Sequence, residues 1–422
     1  MQPAAQHERK RRKPARSQPD ACCRIALLKP RRTTEQTEGI DPARAIPAAA
    51  PGPRCYHPGR MRTSAFLVLL AAAASTVALP LAGVAIAGHG IEFYLHFPPR
   101  TIQVAHAPFA WIVFVAQAAP FVAAIALIWI AEGRFEAGSI ARAARRFPWW
   151  GWLGVALIVA GWPIAWIEGL VPGEWRRQTF AVLWLGYILA VNALIHRRGE
   201  LAPIVLQRRL LIALFAVSAV FWWLFEYLNQ FVRNWYYVGI HAPTDWDYVL
   251  QATLPFSTVL PAVFSTRVWL SGLRGARSSA LPPVRGNRTL TWIALVAGIS
   301  GSIAMPIWPE QLYPLLWLAP LALTLALQQL VLGETLLAPL ARGDWRALTQ
   351  PMLAGLVCGM FWEFWNFGSL AKWQYSVPYV QRFHLFEMPL VGYAGYFPFG
   401  LECAVVADLV ARVVHRRPPA SR

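Results

Sequence analysis

Between residues 64 and 414 the chain alternates long apolar runs with short polar connections. The runs fall at 64–87, 109–131, 151–168, 178–195, 210–232, 248–270, 290–305, 313–332, 351–369 and 397–414. Each reaches, or nearly reaches, the length an α-helix needs to cross about 30 Å of hydrocarbon. The pattern predicts an all-α fold: a polytopic helical membrane bundle of about ten transmembrane helices.

Two runs carry polar residues where they are costly. Phe225 to Tyr237 reads FEYLNQFVRNWYY, and Trp362 to Tyr375 reads WEFWNFGSLAKWQY. Both place a Glu, an Asn three residues later, and a Trp-x-Tyr after a short gap. A carboxylate at membrane depth costs several kcal/mol, so its use at Glu226 and again at Glu363 calls for a reason. Asn229 and Asn366 share a helix face with their acids through the i, i+3 spacing. Each Glu sits about six residues from its helix end, about 9 Å deep at 1.5 Å per residue. Glu402 lies at similar depth in the last run.

The phrase belongs to a longer repetition. VLWLGYILAVNAL (182–194) is matched by LLWLAPLALTLAL (315–327), RGELAP (198–203) by GETLLAP (333–339), and LPFSTVLPAV (254–263) by FPFGLECAVV (397–406), in the same order. This predicts a tandem parallel duplication of a four-helix unit, at 150–270 and 290–414, after a two-helix unit at 61–131. Glu402 is then matched by Val259, so the copies differ there.

The charge of +18 divides into two parts. Residues 1–62 hold 14 Lys/Arg and 5 Asp/Glu, half of the excess. That segment, rich in Arg, Pro and Ala, reads as a disordered basic tail or as a start assigned upstream of Met61. The remaining excess lies in the connections. With the N-terminus inside, inner connections carry 18 Lys/Arg against 6 in outer ones. This is the positive-inside asymmetry of a multi-pass protein with both termini cytoplasmic, and no nucleic-acid partner is needed to explain it. The inner stretch 134–147 fits a short amphipathic surface helix, and 415–422 a cytoplasmic tail. Of the five cysteines, Cys22, Cys23 and Cys55 fall in the basic segment and Cys358 and Cys403 in apolar runs, with no disulfide or metal spacing.

Titratable and aromatic residues concentrate in the outer connections. The candidate acid/base residues are Glu226, Glu363 and Glu402. The candidate substrate-binding residues are Asn229, Asn366, Trp235, Tyr237, Trp373, Tyr375, Glu387 and His106. Trp222, Trp223, Trp362 and Trp365 surround the acids, whereas most of the 21 tryptophans read as interfacial belts. His89, Glu92 and His96 would share a helix face, but Gly90 and Pro98-Pro99 oppose a helix, so no metal site is assigned. No nucleotide, zinc-protease or serine-hydrolase motif is present, and no cofactor is named. Gly355 and Gly359 form a GxxxG that marks close helix packing.

The blocks FPPRTIQVAHAPFAW, LWLGYILAVNAL, FEYLNQFVRNWYYVG and FWEFWNFGSLAKWQY together resemble a group of bacterial inner-membrane proteins. The resemblance covers most of 61–414. It implies a polytopic protein of the bacterial inner membrane and carries over no activity. A looser similarity in style to membrane-integral lycopene cyclase domains lacks the acidic pair after proline, since 387–389 reads Glu-Met-Pro. Three functions stay open on sequence: an enzyme acting on a membrane lipid or isoprenoid-type substrate from the outer leaflet, a transporter using the same acids for proton or cation coupling, and a structural membrane protein. The oligomeric state is not specified by the sequence.

Overall fold

The computed structural model describes residues 58–132, 144–272 and 281–415. The basic segment up to residue 57 with its three cysteines, most of the 134–147 stretch, and the chain from 416 onward lie outside the described residues.

The fold is a bundle of α-helices: α1 (Pro58–Ile86), α2 (Trp111–Glu132), α3 (Trp149–Trp166), the short α4 (Gly173–Arg177), α5 (Thr179–Arg197), the short α6 (Pro203–Leu206), and α7 (Arg208–Val232). Strand β1 (Trp235–Val238) follows, then α8 (Asp245–Phe256), α9 (Val259–Ser271), α10 (Arg288–Ala304), the short α11 (Pro309–Leu312), α12 (Leu315–Leu332) and α13 (Arg346–Phe367). Strands β2 (Lys372–Tyr375), β3 (His384–Leu385) and β4 (Met388–Pro389) precede the last helix, α14 (Tyr396–Val414).

Among the described residues, seven helical segments are long and apolar enough to cross a membrane, with α8 and α9 forming one of them as Asp245–Ser271. The chain is built as an integral, multi-pass membrane protein. Helix α10 is apolar but only 17 residues long. Helices α13 and α14 have the length, 22 and 19 residues, but are less apolar because Glu363 lies in one and Glu402, Asp408 and Arg412 in the other.

Small residues set the closest helix crossings. A Cβ on Gly154 of α3 would fall 2.7 Å from the carbonyl of Gly186 on α5, and one on Gly298 of α10 would fall 3.0 Å from the carbonyl of Ala319 on α12. Dispersion contacts and close backbone approach are what associate helices where lipid removes the hydrophobic drive between them. Helix α1 lies along α10, α12 and α14. The α8–α9 break at Ser257-Thr258 is bridged by Ser218 of α7, whose hydroxyl donates to the Phe256 carbonyl at 2.6 Å and accepts from the Leu260 N–H at 3.0 Å. Both orphan backbone groups are thereby satisfied inside the bundle, as a broken helix at membrane depth requires.

The structure adds two small antiparallel ribbons to the predicted all-helical fold. Strands β1 and β2 pair with Trp235 opposite Tyr375 and Tyr237 opposite Trp373. Their aromatic and β-branched content suits a half-buried strand. Strands β3 and β4 form a hairpin that turns at Phe386, in the left-handed region at φ 58°. An extended strap from residue 97 to 110 crosses this end of the bundle. The Asn229 amide donates to Thr101 Oγ1, Ser376 Oγ donates to the Val104 carbonyl, and Ala107 and Ala110 exchange backbone bonds with Tyr379.

Candidate functional site

The two Glu-Asn-Trp-Tyr phrases meet at the β1–β2 ribbon. Each Asn does the same job. Asn366 Oδ1 accepts from the Trp373 N–H at 2.9 Å while its Nδ2 donates to the Trp373 carbonyl at 2.8 Å. Asn229 repeats this on Trp235, at 3.4 Å and 2.7 Å, and also accepts from the Asn234 N–H at 2.9 Å. Each amide stands in for a missing neighbouring strand and closes one edge of the ribbon, where unpaired backbone groups would otherwise be buried. Asn366→Ala is therefore expected to lower stability by about 2–4 kcal/mol, because a buried N–H and a buried C=O lose their partner together. A denaturant titration in detergent reads this, and an unchanged midpoint would show that the ribbon edge needs no cover.

With its edges fixed, the ribbon turns every second side chain inward. Trp235, Tyr237, Trp373 and Tyr375 point to one side. On the other, the Tyr236 hydroxyl donates to Gln374 Oε1 at 3.0 Å. The inward phenols reach the acids. Tyr237 OH donates to Glu226 Oε1 at 2.6 Å, as do Trp222 Nε1 at 2.9 Å and Trp235 Nε1 at 3.1 Å. Tyr375 OH and Tyr396 OH each donate to Glu363 Oε1 at 2.7 Å. Trp373 Nε1 donates to Tyr375 OH at 2.9 Å, so it serves its acid through the phenol. All three acids are buried, and the Oε2 atoms of Glu363 and Glu402 have no hydrogen-bond partner.

The four inward ribbon side chains form one wall of a cavity of about 140 Å³. Trp222, Trp317, Trp362 and Tyr396 continue the aromatic lining, with Phe256 of α8 and Val259 of α9. Arg177, Lys372 and Gln251 supply polar lining. Lys372 is paired with Glu387, and Arg177 Nε donates to the Gly239 carbonyl at 3.1 Å. The carboxylates sit behind the phenols rather than on the wall. Burial first, then the charge of Glu226, holds the Tyr237 phenol well above its ordinary pKa. Burial and Glu363 do the same for Tyr375. Both hydroxyls stay protonated at neutral pH, and each donates its hydrogen to the carboxylate behind it. The π faces around them favour positive charge.

The predicted site residues thus separate. Trp235, Tyr237, Trp373 and Tyr375 line the cavity, and Glu226 and Glu363 bond directly to lining residues. Asn229 and Asn366 are engaged with the ribbon backbone, and Glu387 with Lys372. Glu402 shares a face of α14 with Phe399 and Val406 but does not line the cavity. His106 belongs to the strap, its Nδ1 2.6 Å from Glu310 Oε1 and its Nε2 3.2 Å from the Arg233 carbonyl. Glu92 opens a one-turn 3-10 helix, Glu92–Leu95. Among the described residues no three His, Cys, Asp or Glu side chains converge as metal ligands. Sequence reasoning missed Tyr396, Trp317 and Arg177. Tyr396 immediately precedes the FPF block that matched LPF, and Trp317 belongs to the LLWLA block, so the repeat carried a signal for both. No family model matches the chain, and no curated protein or solved structure is detectably similar to it.

Proposed function

We propose that this cavity is the active site of a membrane-embedded enzyme that acts by acid/base chemistry on a lipid or isoprenoid-type substrate from the outer-leaflet side of a bacterial inner membrane. The observation that carries the reading is the pair of buried carboxylates, each hydrogen-bonded to a ribbon tyrosine on the wall of one aromatic cavity. Glu226 with Tyr237 and Glu363 with Tyr375 are the two proton-handling pairs. Positioned general acids and bases typically contribute 10²–10⁴-fold to a rate. Glu402 is the third acid of the proposal, set where the first copy has Val259. Asn229 and Asn366 act as positioning residues through the ribbon, Glu387 through Lys372, and His106 through the strap over the site.

The same reading takes α10, α13 and α14 as crossings, making ten. It places both termini in the cytoplasm and the ribbon outside, in accord with the Lys/Arg asymmetry. It also includes a duplication that relates α3, α5, α7 and α8–α9 to α10, α12, α13 and α14. Three features support this. The β1–β2 register is self-complementary, Trp to Tyr and Tyr to Trp, as a two-fold axis through the ribbon would produce. The α3–α5 and α10–α12 crossings use matching small residues, Gly186 and Ala319. In each unit an amide on the second helix reaches a polar residue on the last, Asn192 to Ser265 at 2.9 Å and Gln328 to Asp408 at 2.8 Å.

Lipid extracts of a host lacking the gene, compared with the same host carrying it, test the function. The gene is expected to convert one lipid species into another. Glu226→Gln and Glu363→Gln, made at wild-type folded yield, are expected to leave the precursor unconverted. Conversion by both Gln variants at the wild-type rate would assign the acids to packing alone. Vesicles that move a solute without altering it, in an Glu363-dependent way, would favour the transporter.

A further inference from the structure

A second cavity, of about 330 Å³, lies on the far side of the aromatic wall. Trp235, Trp317, Tyr375, Met388 and Tyr396 line both chambers. The wall between them is thus one side chain thick, with the Trp235 and Trp317 rings stacked at 5.9 Å and 20°. Small-molecule sites usually enclose about 300–1,000 Å³. The first chamber falls short of that range, and the second, by itself or together with the first, falls within it.

The second chamber has a polar end. Asn234 is 6% exposed, and its Oδ1 is buried without a hydrogen-bond partner. Its backbone is occupied: the N–H donates to Asn229 Oδ1 and the carbonyl accepts from Ser376 N. Tyr313 and Gln117, hydrogen-bonded to each other at 2.8 Å, add further polar lining. A buried orphan acceptor costs about 1–3 kcal/mol, which a ligand donor would recover. A hydroxyl both donates and accepts, so it satisfies either orientation of the Asn234 amide.

We infer that the two chambers form one binding tract for a long-chain aliphatic alcohol, its hydroxyl held at Asn234 in the second chamber and its chain passing the Trp235–Trp317 wall into the first chamber. This rests on the lipid reading above and deepens it: the anchor lies at one end, the Glu363–Tyr375 pair meets the chain at the wall, and the Glu226–Tyr237 pair meets it in the first chamber. Substrates too short to pass the wall are held away from the Glu226–Tyr237 pair.

Saturated alcohols with a terminal diazirine, one of eight carbons and one of eighteen, test this on the full chain in phosphatidylcholine nanodiscs, with labelled peptides mapped by mass spectrometry. The long probe is expected to label α8 at Ala252 and Phe256, and the short probe to label the second chamber around Ala394. Ala394→Phe, which fills the second chamber, and Asn234→Leu, which removes the anchor, are each expected to cut α8 labelling by the long probe about tenfold. Undiminished α8 labelling in both variants, or equal α8 labelling by both chain lengths, would overturn the tract while leaving a lipid site in the first chamber. Labelling of lipid-facing helix surfaces alone would overturn the tract and the lipid reading together.

Discussion

Glu226→Ala is expected to lower the stability of the purified protein by about 3–6 kcal/mol, because it strands three buried or half-buried donors at once. Trp222 Nε1, Trp235 Nε1 and Tyr237 OH all converge on Glu226 Oε1. An indole N–H only donates, so neither tryptophan can find another use for its hydrogen inside an aromatic wall. Glu226→Gln keeps one acceptor oxygen in the same place and is expected to cost only about 1–2 kcal/mol. Glu363→Ala should fall between the two, since Tyr375 and Tyr396 are the donors left behind there. Denaturant titration in detergent measures the series. An alanine variant as stable as wild type would mean that the donors are readily served without the carboxylate, and that the cluster around Glu226 is not what ties the ribbon to α7.

Gly355→Leu is expected to be nearly as damaging, at about 3 kcal/mol or more. A Cβ at this position would lie 2.3 Å from the Tyr396 carbonyl oxygen and 2.8 Å from the Gly400 Cα. Both obstacles are backbone, which no rotamer change removes. Gly400 reciprocates, its added Cβ falling 2.2 Å from the Pro351 carbonyl. Helices α13 and α14 must therefore separate, and Tyr396, which starts α14 and donates to Glu363, moves with them. The variant is expected to lose function as well as stability. Gly286→Ala is the control: nothing lies within 4 Å of its Cβ, and a surface change of this kind stays within about 0.5 kcal/mol. Equal unfolding midpoints for Gly355→Leu and the control would refute the close crossing.

Much of this molecule could be read from its residues. The apolar runs predicted the main helices to within a few positions, since burial in lipid demands about twenty apolar residues whatever the partners. The GxxxG at Gly355 and Gly359 pointed to close packing, and the structure sets Gly355 against Gly400 and Gly359 under the Tyr396 ring. The aromatic and acidic members of the repeated phrase pointed to one place, which is where Trp235, Tyr237, Trp373 and Tyr375 gather. The roles inside that place were less legible. Asn229 and Asn366 read as substrate-binding groups because they share a helix face with the acids, and the structure engages their amides with backbone atoms six and seven residues ahead. His106 read as part of the site because it shares the face, yet it is engaged with Glu310 and the Arg233 carbonyl.

The sequence by itself determined that this chain crosses a membrane repeatedly and that it places carboxylates, asparagines and aromatic pairs in two matching settings. Hydropathy and local spacing are properties of a single segment, so they survive without knowledge of its neighbours. Only the tertiary structure decided that the two settings pair into one ribbon, that the ribbon's phenols stand between the acids and a shared cavity, and that a second chamber lies behind it. Those facts depend on contacts more than a hundred residues apart, such as Trp235 against Tyr375. They arise from how helices and strand edges satisfy one another's buried polar groups, which no local pattern encodes.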